Sequence, residues 1–522
     1  MIPPGATRLD VRLVPAAVTA WSVTAAGITW GVGPVIAMVC AAGAIVGALS
    51  RRGTARPVLH ATGAGVLHVA GAGVLGVAGA GVLGVAVVGA GFGLAVGLRS
   101  HAADHHPAVR LFGTTAEVTV TPEENPRAIG SGRLMFRAAL VAIADDDVAG
   151  RVVVFASGGD FAELTAGQPA RFWARISRPA RRDLTVATLT VVGPPVLGEA
   201  SVVQRVAQGV RARFAAASRD ALPADQAAML PGLVLGDTTT VPAATVGEFR
   251  TAGLTHLTAV SGANVTIVCG AVLLSAGLIG PRAAVVLAAL ALVAFVFVVQ
   301  PTASVLRAAV MGAIALMAVL SARRRQGVPV LAATVIVLMV FAPQLAVDVG
   351  FALSVSATAA LIVVAPILSA RLMARGHPKL VADAVSIALT AQLATAPLVA
   401  AISGQLSVVG VIANLVVSPV IPPITVLGTA AAALCPVWPA AGDLLIRFTG
   451  PELWWLLRVA HCAASVPGAA IPVPSGWGGL AAVGAAAVGA VVLWRWRWFR
   501  RSAAGGLLCG VAWSVAGVVG GP

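Results

Sequence analysis

Runs of about 18 or more apolar residues recur from one end of this 522-residue chain to the other, and they restrict the fold more than any single residue does. In hydrocarbon every backbone N–H and C=O must be satisfied within the chain, so such runs read as spanning helices. Hydrophobic residues make up 58% of the chain and charged residues 11%, with mean hydropathy +0.94. A soluble domain is excluded, and the fold class expected is a polytopic α-helical membrane protein. The formal charge of +15 would suggest nucleic acid in a soluble protein. Here the loops on the cytoplasmic side collect Arg in any case, and a lone lysine (Lys379) with no tyrosine marks a GC-rich coding bias behind part of the excess. The five cysteines lie in apolar runs without metal-ligand spacing, so they give no disulfide framework and no metal site. The first ten residues lack a cleavable signal pattern, and the first span is expected to stay.

Apolar runs at 13–30 and 32–49 flank Gly31-Val-Gly-Pro34, a turn signal, and the second ends near Arg51, Arg52 and Arg56. A third run, 66–98, holds an octapeptide that begins Gly63-Ala-Gly-Val-Leu-His-Val-Ala70 and recurs at 71–78 and 79–86. Eight residues are too few for a solenoid module, so the repeat reads as a sequence expansion within a span, with His68 a variant of Gly76 and Gly84. The N-terminal helices are assigned to 1–98.

From 99 to 199 the pattern changes to short alternating runs at 116–120, 138–143, 151–155, 171–176 and 184–192, broken by Pro, Gly and Asp. Period-two alternation predicts a small all-β domain of barrel type, inserted after the third span. Asp145-Asp-Asp147 reads as a solvated hairpin tip, since adjacent carboxylates on a strand point different ways. Arg171, Arg175, Arg178, Arg181 and Arg182 interleave with Phe172 and Trp173, the composition of a single-strand-binding surface. Ordinary strand decoration is the competing reading. Residues 200–228 are expected to form an amphipathic interfacial helix bearing Arg205, Arg211, Arg213 and Arg219. The remainder, 229–522, holds runs at 257–278, 283–299, 303–320, 328–347, 349–370, 380–402, 407–434, 444–463, 480–493 and 507–519. The run 444–463, with Arg447, Glu452, Arg458 and His461, is the weakest. If Arg8 and Arg12 are cytoplasmic, Arg282, the basic loops 323–325 and 371–379, and 495–501 all fall inside, provided 444–463 crosses or errors elsewhere compensate. The Trp494, Trp496 and Trp498 cluster then reads as an interfacial belt.

At the head of the run 257–278 stand His256, Ser261, Gly262 and Asn264, polar groups that hydrocarbon would penalise by several kcal/mol unless they face protein, water or a solute. Leu230-Pro-Gly-Leu-Val-Leu-Gly-Asp237 followed by Phe249-Arg-Thr-Ala-Gly-Leu-Thr-His-Leu-Thr-Ala-Val-Ser-Gly-Ala-Asn264 resembles the bacterial competence channel family, ComEC. Pro301-Thr-Ala-Ser-Val-Leu-Arg307, Asp348-Val-Gly-Phe-Ala-Leu-Ser354, Ala391-Gln-Leu-Ala-Thr-Ala-Pro397 and Ala413-Asn-Leu-Val-Val-Ser-Pro419 extend the likeness in order. The resemblance implies transport of single-stranded DNA across the bacterial cytoplasmic membrane during natural transformation. It also implies that the β region is an extracytoplasmic OB-like domain. The implied partners are single-stranded DNA, membrane lipid, a DNA receptor and a cytoplasmic ATP-driven translocase; a homo-oligomer is compatible with it. Many members carry a C-terminal metallo-β-lactamase-like domain. This chain resembles a short form without it: no His-x-His-x-Asp-His cluster occurs, and Asp104-His105-His106 is the nearest approach. No enzyme activity, cofactor or metal is therefore expected.

The residues assigned to a DNA path or gate are Asp237, His256, Ser261, Asn264, Arg307, Asp348, Gln392 and Asn414. A charge inside an apolar run costs about 2.5–3.5 kcal/mol on insertion scales, so Arg307 either meets phosphate or pairs with Asp348. The N–H groups at 261–264 can hold an anion, or Gly262 can permit a close helix crossing. His256 has no Gly-x-Ser-x-Gly elbow or other nucleophile partner, which disfavours a membrane hydrolase. Gln392 with Pro397, Asn414 with Pro419, and Pro422-Pro423 mark spans expected to be broken, as in transporters, unless the prolines only kink them. The alternative function is a secondary transporter of a small anionic solute.

Overall fold

The structure, a computed structural model, describes residues 10–493 apart from 55–64, 130–131, 145, 158, 162–163, 259, 300–302 and 321–326. Arg8, Arg56, Asp145, Pro301, Thr302, the loop 323–325, the Trp–Arg belt at 494–501, Cys509 and the run 507–519 therefore lie outside the described residues, as do the side chains of Arg51, Arg52 and His68. In chain order the helices are α1 (Val14–Trp30), α2 (Gly33–Thr54), α3 (Gly65–Asp104), α4 (Val202–Ala221), α5 (Ala224–Leu235) and α6 (Ala243–Thr251). Then come α7 (Gly262–Ala276), α8 (Pro281–Val299), α9 (Ala303–Leu320), α10 (Gly327–Phe341), α11 (Val349–Val363) and α12 (Ala365–Met373). The last are α13 (Lys379–Ser403), α14 (Gly410–Val417), α15 (Ile421–Leu434), α16 (Pro439–Phe448), α17 (Gly450–Ser465) and α18 (Gly476–Leu493). The chain divides into two compact units, residues 1–204 with 322–351, and 205–321 with 352–522.

In the first unit, Gly31 takes φ 71° and its N–H closes onto the Gly27 carbonyl, ending α1 and turning the chain into α2. From Gly65 onward the octapeptide repeat lies within α3, a continuous helix. Further along it Gly93 lies so close to α2 that a Cβ would meet the Gly33 carbonyl oxygen at 2.8 Å, the small-residue contact that lets helices pack tightly in lipid. Trp21 donates its indole N–H to the Ala346 carbonyl at 2.9 Å and sets its ring edge-on to Phe351.

The β domain follows as β1 (Thr115–Pro122), β2 (Arg127–Ala128), β3 (Arg133–Ile143), β4 (Asp146–Ser157), β5 (Ala170–Ser177) and β6 (Thr185–Leu197). β1 pairs with both β3 and β5, so the five long strands close a barrel in the order β1-β3-β4-β6-β5, with β4 and β6 parallel and the other pairs antiparallel. Closure removes the free edges that a small sheet would otherwise expose. The interior is filled by every second residue: Val118 and Val120, Phe136 and Ala138, Val152 and Val154, Phe172 and Ala174, all buried. Asp146 and Asp147 are exposed at the start of β4, where Asp146 pairs with Ile143 across the tight turn through Ala144, as a solvated hairpin tip requires. His106 is a fastener: its Nδ1 accepts from Ala108 N–H at 3.2 Å, and its Nε2 lies 3.3 Å from the Ala149 carbonyl of β4.

Among the described residues, four stretches are long and apolar enough to cross a membrane: Gly81–Leu111, Pro281–Val299, Val349–Met373 and Lys379–Ser403. α14 and α15 form a bent pair, turning 54° at the break before Ile421. This break falls at the expected place, after Asn414 and beside Pro419. The second expected break is corrected: α13 runs through Pro397 unbroken, because the loss of one N–H is tolerated in a helix of 25 residues. The run 444–463, the weakest of the apolar runs, is not a single helix. It is two helices, α16 and α17, joined at Thr449, with Pro451 in the first turn of α17 where a missing N–H costs nothing.

Candidate functional site

The second unit gathers three of the sequence motifs around Gly253. This residue takes φ +72°, and a Cβ there would lie 3.0 Å from Ser407 Oγ and 3.0 Å from Gly410 Cα, so both the conformation and the space demand glycine. Asn414, on α14, donates its Nδ2 to the carbonyl of Gly410 at 2.8 Å and more weakly to that of Gly253 at 3.4 Å. Gln392, on α13, donates to the Ser407 carbonyl at 3.3 Å. Ser407 ends the short strand β7 (Gln405–Ser407), which pairs with β8 (Ala470–Pro472), and its buried hydroxyl has no partner among the described residues. Polar side chains from separate helices thus pin irregular backbone where a regular helix would have satisfied itself.

Beyond Gly253 the chain makes a 3-10 turn, Thr255–Leu257, with His256 exposed, and α7 begins only at Gly262. Ser261 stands at the N-cap, but its hydroxyl caps nothing; it donates instead to Asn264 Oδ1 at 3.1 Å. The buried Asn264 amide donates in turn to the Leu233 carbonyl at 2.9 Å. That carbonyl belongs to the last turn of α5, where Gly236 N–H bonds to Gly232 and Asp237 N–H to Pro231, leaving Leu233 without a helical donor. A small cavity opens beside Ser261 and Asn264, walled by Leu233, Leu257, Ile421 and Thr425. Asp237 closes the turn after α5 by accepting from the Thr239 N–H and hydroxyl at 3.1 and 2.6 Å. Arg211 of α4 donates Nε to the Val298 carbonyl near the end of α8, a favourable place for a cation. Burial pushes its pKa down to about 10, with the Asp237 carboxylate pulling the other way, so it stays charged at neutral pH.

Arg307, 7% exposed on α9, is the buried cation among the described residues of this unit. Its Nε donates to Ser354 Oγ at 2.7 Å and its Nη1 to the Met311 thioether at 3.2 Å. Nη2 approaches the first residue of α7: a Cβ on Gly262 would sit 2.6 Å from it. Gly262 is therefore small to admit a guanidinium. The expectation of an Arg307–Asp348 pair is corrected, since neither residue makes an ion pair among the described residues. Asp348 instead starts α11, its Oδ1 accepting from Phe351 N–H at 2.8 Å, the usual work of an acidic residue before a helix.

On the barrel, β5 alternates strictly. Arg171, Trp173 and Arg175 face outward, with Trp173 54% exposed, and Arg178, Arg181 and Arg182 are exposed beyond it. Phe172 is corrected: at 2% exposure it is part of the core, edge-on to Phe161 at 5.3 Å, because its neighbours on both sides point out. A second outward Arg–aromatic face was missed by sequence reading. Arg133 lies over the Phe155 ring, 5.7 Å from its centroid, on the paired strands β3 and β4, with Arg137 exposed on the same face. Arg127 and Arg151 flank it but are paired with Glu124 and Glu123. Its signal, Arg at 127, 133 and 137 on odd positions, becomes visible only once the register across to β4 is known.

The protein family described as Competence protein matches residues 233–498, which holds Gly253, Asn264, Arg307, Gln392 and Asn414. No curated protein and no solved structure matches the chain. The match covers just over half of the 522 residues, and the chain belongs to the competence protein family.

Proposed function

We propose that this protein carries single-stranded DNA across the cytoplasmic membrane during natural transformation. Family membership supports a role in DNA uptake in general. The observation that carries the narrower reading is Arg307, a buried guanidinium without a carboxylate partner among the described residues, set among apolar helices and within the matched stretch. An unpaired buried charge is costly, and a passing polyanion offers the neutralisation that the protein withholds. The bent α14–α15 pair gives the kind of backbone exposure by which transporters serve a solute. We read the five-strand barrel as an OB-like domain outside the membrane, with its Arg–aromatic faces touching the strand before entry. The N-terminus is cytoplasmic in this arrangement, and a separate receptor and an ATP-driven translocase act as partners. No catalytic step is assigned to the chain.

A secondary transporter of a small anion shares the unpaired Arg307. A deletion strain separates the two readings. Loss of transformation by added linear DNA with small-anion uptake intact is the expected result; normal transformation with impaired anion uptake would favour the transporter.

A further inference from the structure

We infer that Arg307 and the first turn of α7 form one anion site, built to hold a phosphate of the DNA strand; the assignment of DNA as the source rests on the function proposed above. Three features converge there. The guanidinium belongs to a residue only 7% exposed, and its Nη2 has no acceptor among the described residues. It is aimed at Gly262, the first residue of α7, where an added Cβ would lie 2.6 Å from Nη2 and 3.3 Å from the Ala308 Cβ. The first turn of α7 has no side-chain cap, because Ser261, the residue placed to provide one, gives its hydroxyl to Asn264.

The electrostatics set the sign of the ligand. A helix N-terminus carries a partial positive charge, and its first N–H groups are donors without helical partners. A guanidinium laid against that end raises the local potential further, and an acidic residue is what structural packing would place there. No Asp or Glu occurs in the first turn of α7, and none pairs with Arg307 among the described residues. An anion seated beside this contact, at the start of the helix, accepts from both at once: from Arg307 Nη2 and from the N–H groups of Gly262 and Ala263. A phosphodiester oxygen pair fits this donor set, since it accepts a planar donor and backbone N–H groups together. The fixed donors on the guanidinium explain the arrangement: Ser354 orients Nε and Met311 takes Nη1, which leaves Nη2 as the exploring edge.

Two glycines of α7 make the test. Gly262→Ala puts a methyl group into the guanidinium's place, whereas Gly270→Ala, on the same helix, meets nothing within 4 Å. Gly270→Ala carries the same substitution on the same helix without meeting a neighbour, so loss of the phosphate effect in Gly262→Ala alone reports the site. The full-length protein in lipid nanodiscs is heated with inorganic phosphate or with chloride at matched ionic strength. Binding to the folded state raises Tm, by about 3 °C near a hundredfold excess over Kd. The site predicts this phosphate-dependent rise in wild type and in Gly270→Ala, and its loss in Gly262→Ala and Arg307→Gln. Equal phosphate stabilisation of wild type and Arg307→Gln overturns it, as does no stabilisation of wild type at all. Arg307→Lys guards against misfolding: it keeps the charge without the planar fork, and is expected to retain a smaller rise. Source is then read separately with a short oligodeoxythymidylate, which should compete with phosphate. Phosphate binding without oligonucleotide competition would leave the anion site standing and sink its assignment to DNA.

Discussion

The barrel and the helical second unit treat arginine in opposite ways. On the strands, Arg133, Arg137, Arg171 and Arg175 all point into solvent, where water solvates the charge whether or not a partner is present. On α9, Arg307 points into the protein and meets a serine, a thioether and the bare start of a helix. The same side chain is a solvated surface charge in one place and an energetic demand in the other. The difference teaches where to look for function. An exposed cation is solvated with or without a ligand, while a buried one without a counter-ion is a candidate for a functional site.

Breaking the buried side should have the largest effect. Arg307→Gln is expected to reduce transformation to the level of the deletion strain while protein abundance and surface DNA binding stay normal; transformation near wild type would remove Arg307 from the mechanism. Within the barrel the comparison sharpens to adjacent residues. Phe172→Ala empties a core position and should destabilise the barrel by about 3–5 kcal/mol, whereas Trp173→Ala should change stability by under about 0.5 kcal/mol. Trp173→Ala should instead weaken single-strand binding by about 1–3 kcal/mol if the outer face stacks bases. Denaturant unfolding and oligonucleotide titration of the two variants read these effects, and the reverse ordering would mean the strand register is misassigned. Asn264→Ala leaves the Leu233 carbonyl unpaired in a buried place and should cost about 1–3 kcal/mol of stability, read as a lower unfolding midpoint. The smallest effect is on the barrel's second face. Removing Arg133 or Arg137 should lower the salt dependence of single-strand binding by about 0.7 for each phosphate that is no longer neutralised, with affinity falling alike for all sequences. An unchanged slope would assign these arginines to solvation alone.

Much of the fold is legible where periodicity is regular. Alternation locates all five barrel strands, and apolar runs locate α1, α8, α9 and α13 closely. Legibility ends where geometry outranks pattern. The interleaving of Arg171, Phe172, Trp173 and Arg175 looks like one surface in one dimension, but a strand sends Phe172 to the opposite face. Pro397 and Pro451 look alike as breakers; one is absorbed inside α13 and the other starts α17. At the candidate site the residue types are legible, since Gly253, Gly262, Asn264, Arg307, Gln392 and Asn414 all belong to the motifs. Their pairing is not. That Gly262 makes room for Arg307, well over a helix length later in the chain, depends on how α7 and α9 pack, and nothing in either segment encodes the distance. Asp348 misleads for the same reason: its carboxylate has a local task at the head of α11 that a search for a charge partner overlooks.

The proposal that this protein conducts one DNA strand is tested most directly by following end-labelled donor DNA in the source organism with the gene deleted and then restored. The account predicts that surface-bound DNA is unchanged in the deletion, that the labelled single strand fails to reach the cytoplasm, and that the restored wild-type gene, but not Arg307→Gln, returns it. Arrival of the strand at wild-type levels in the deletion strain would contradict it.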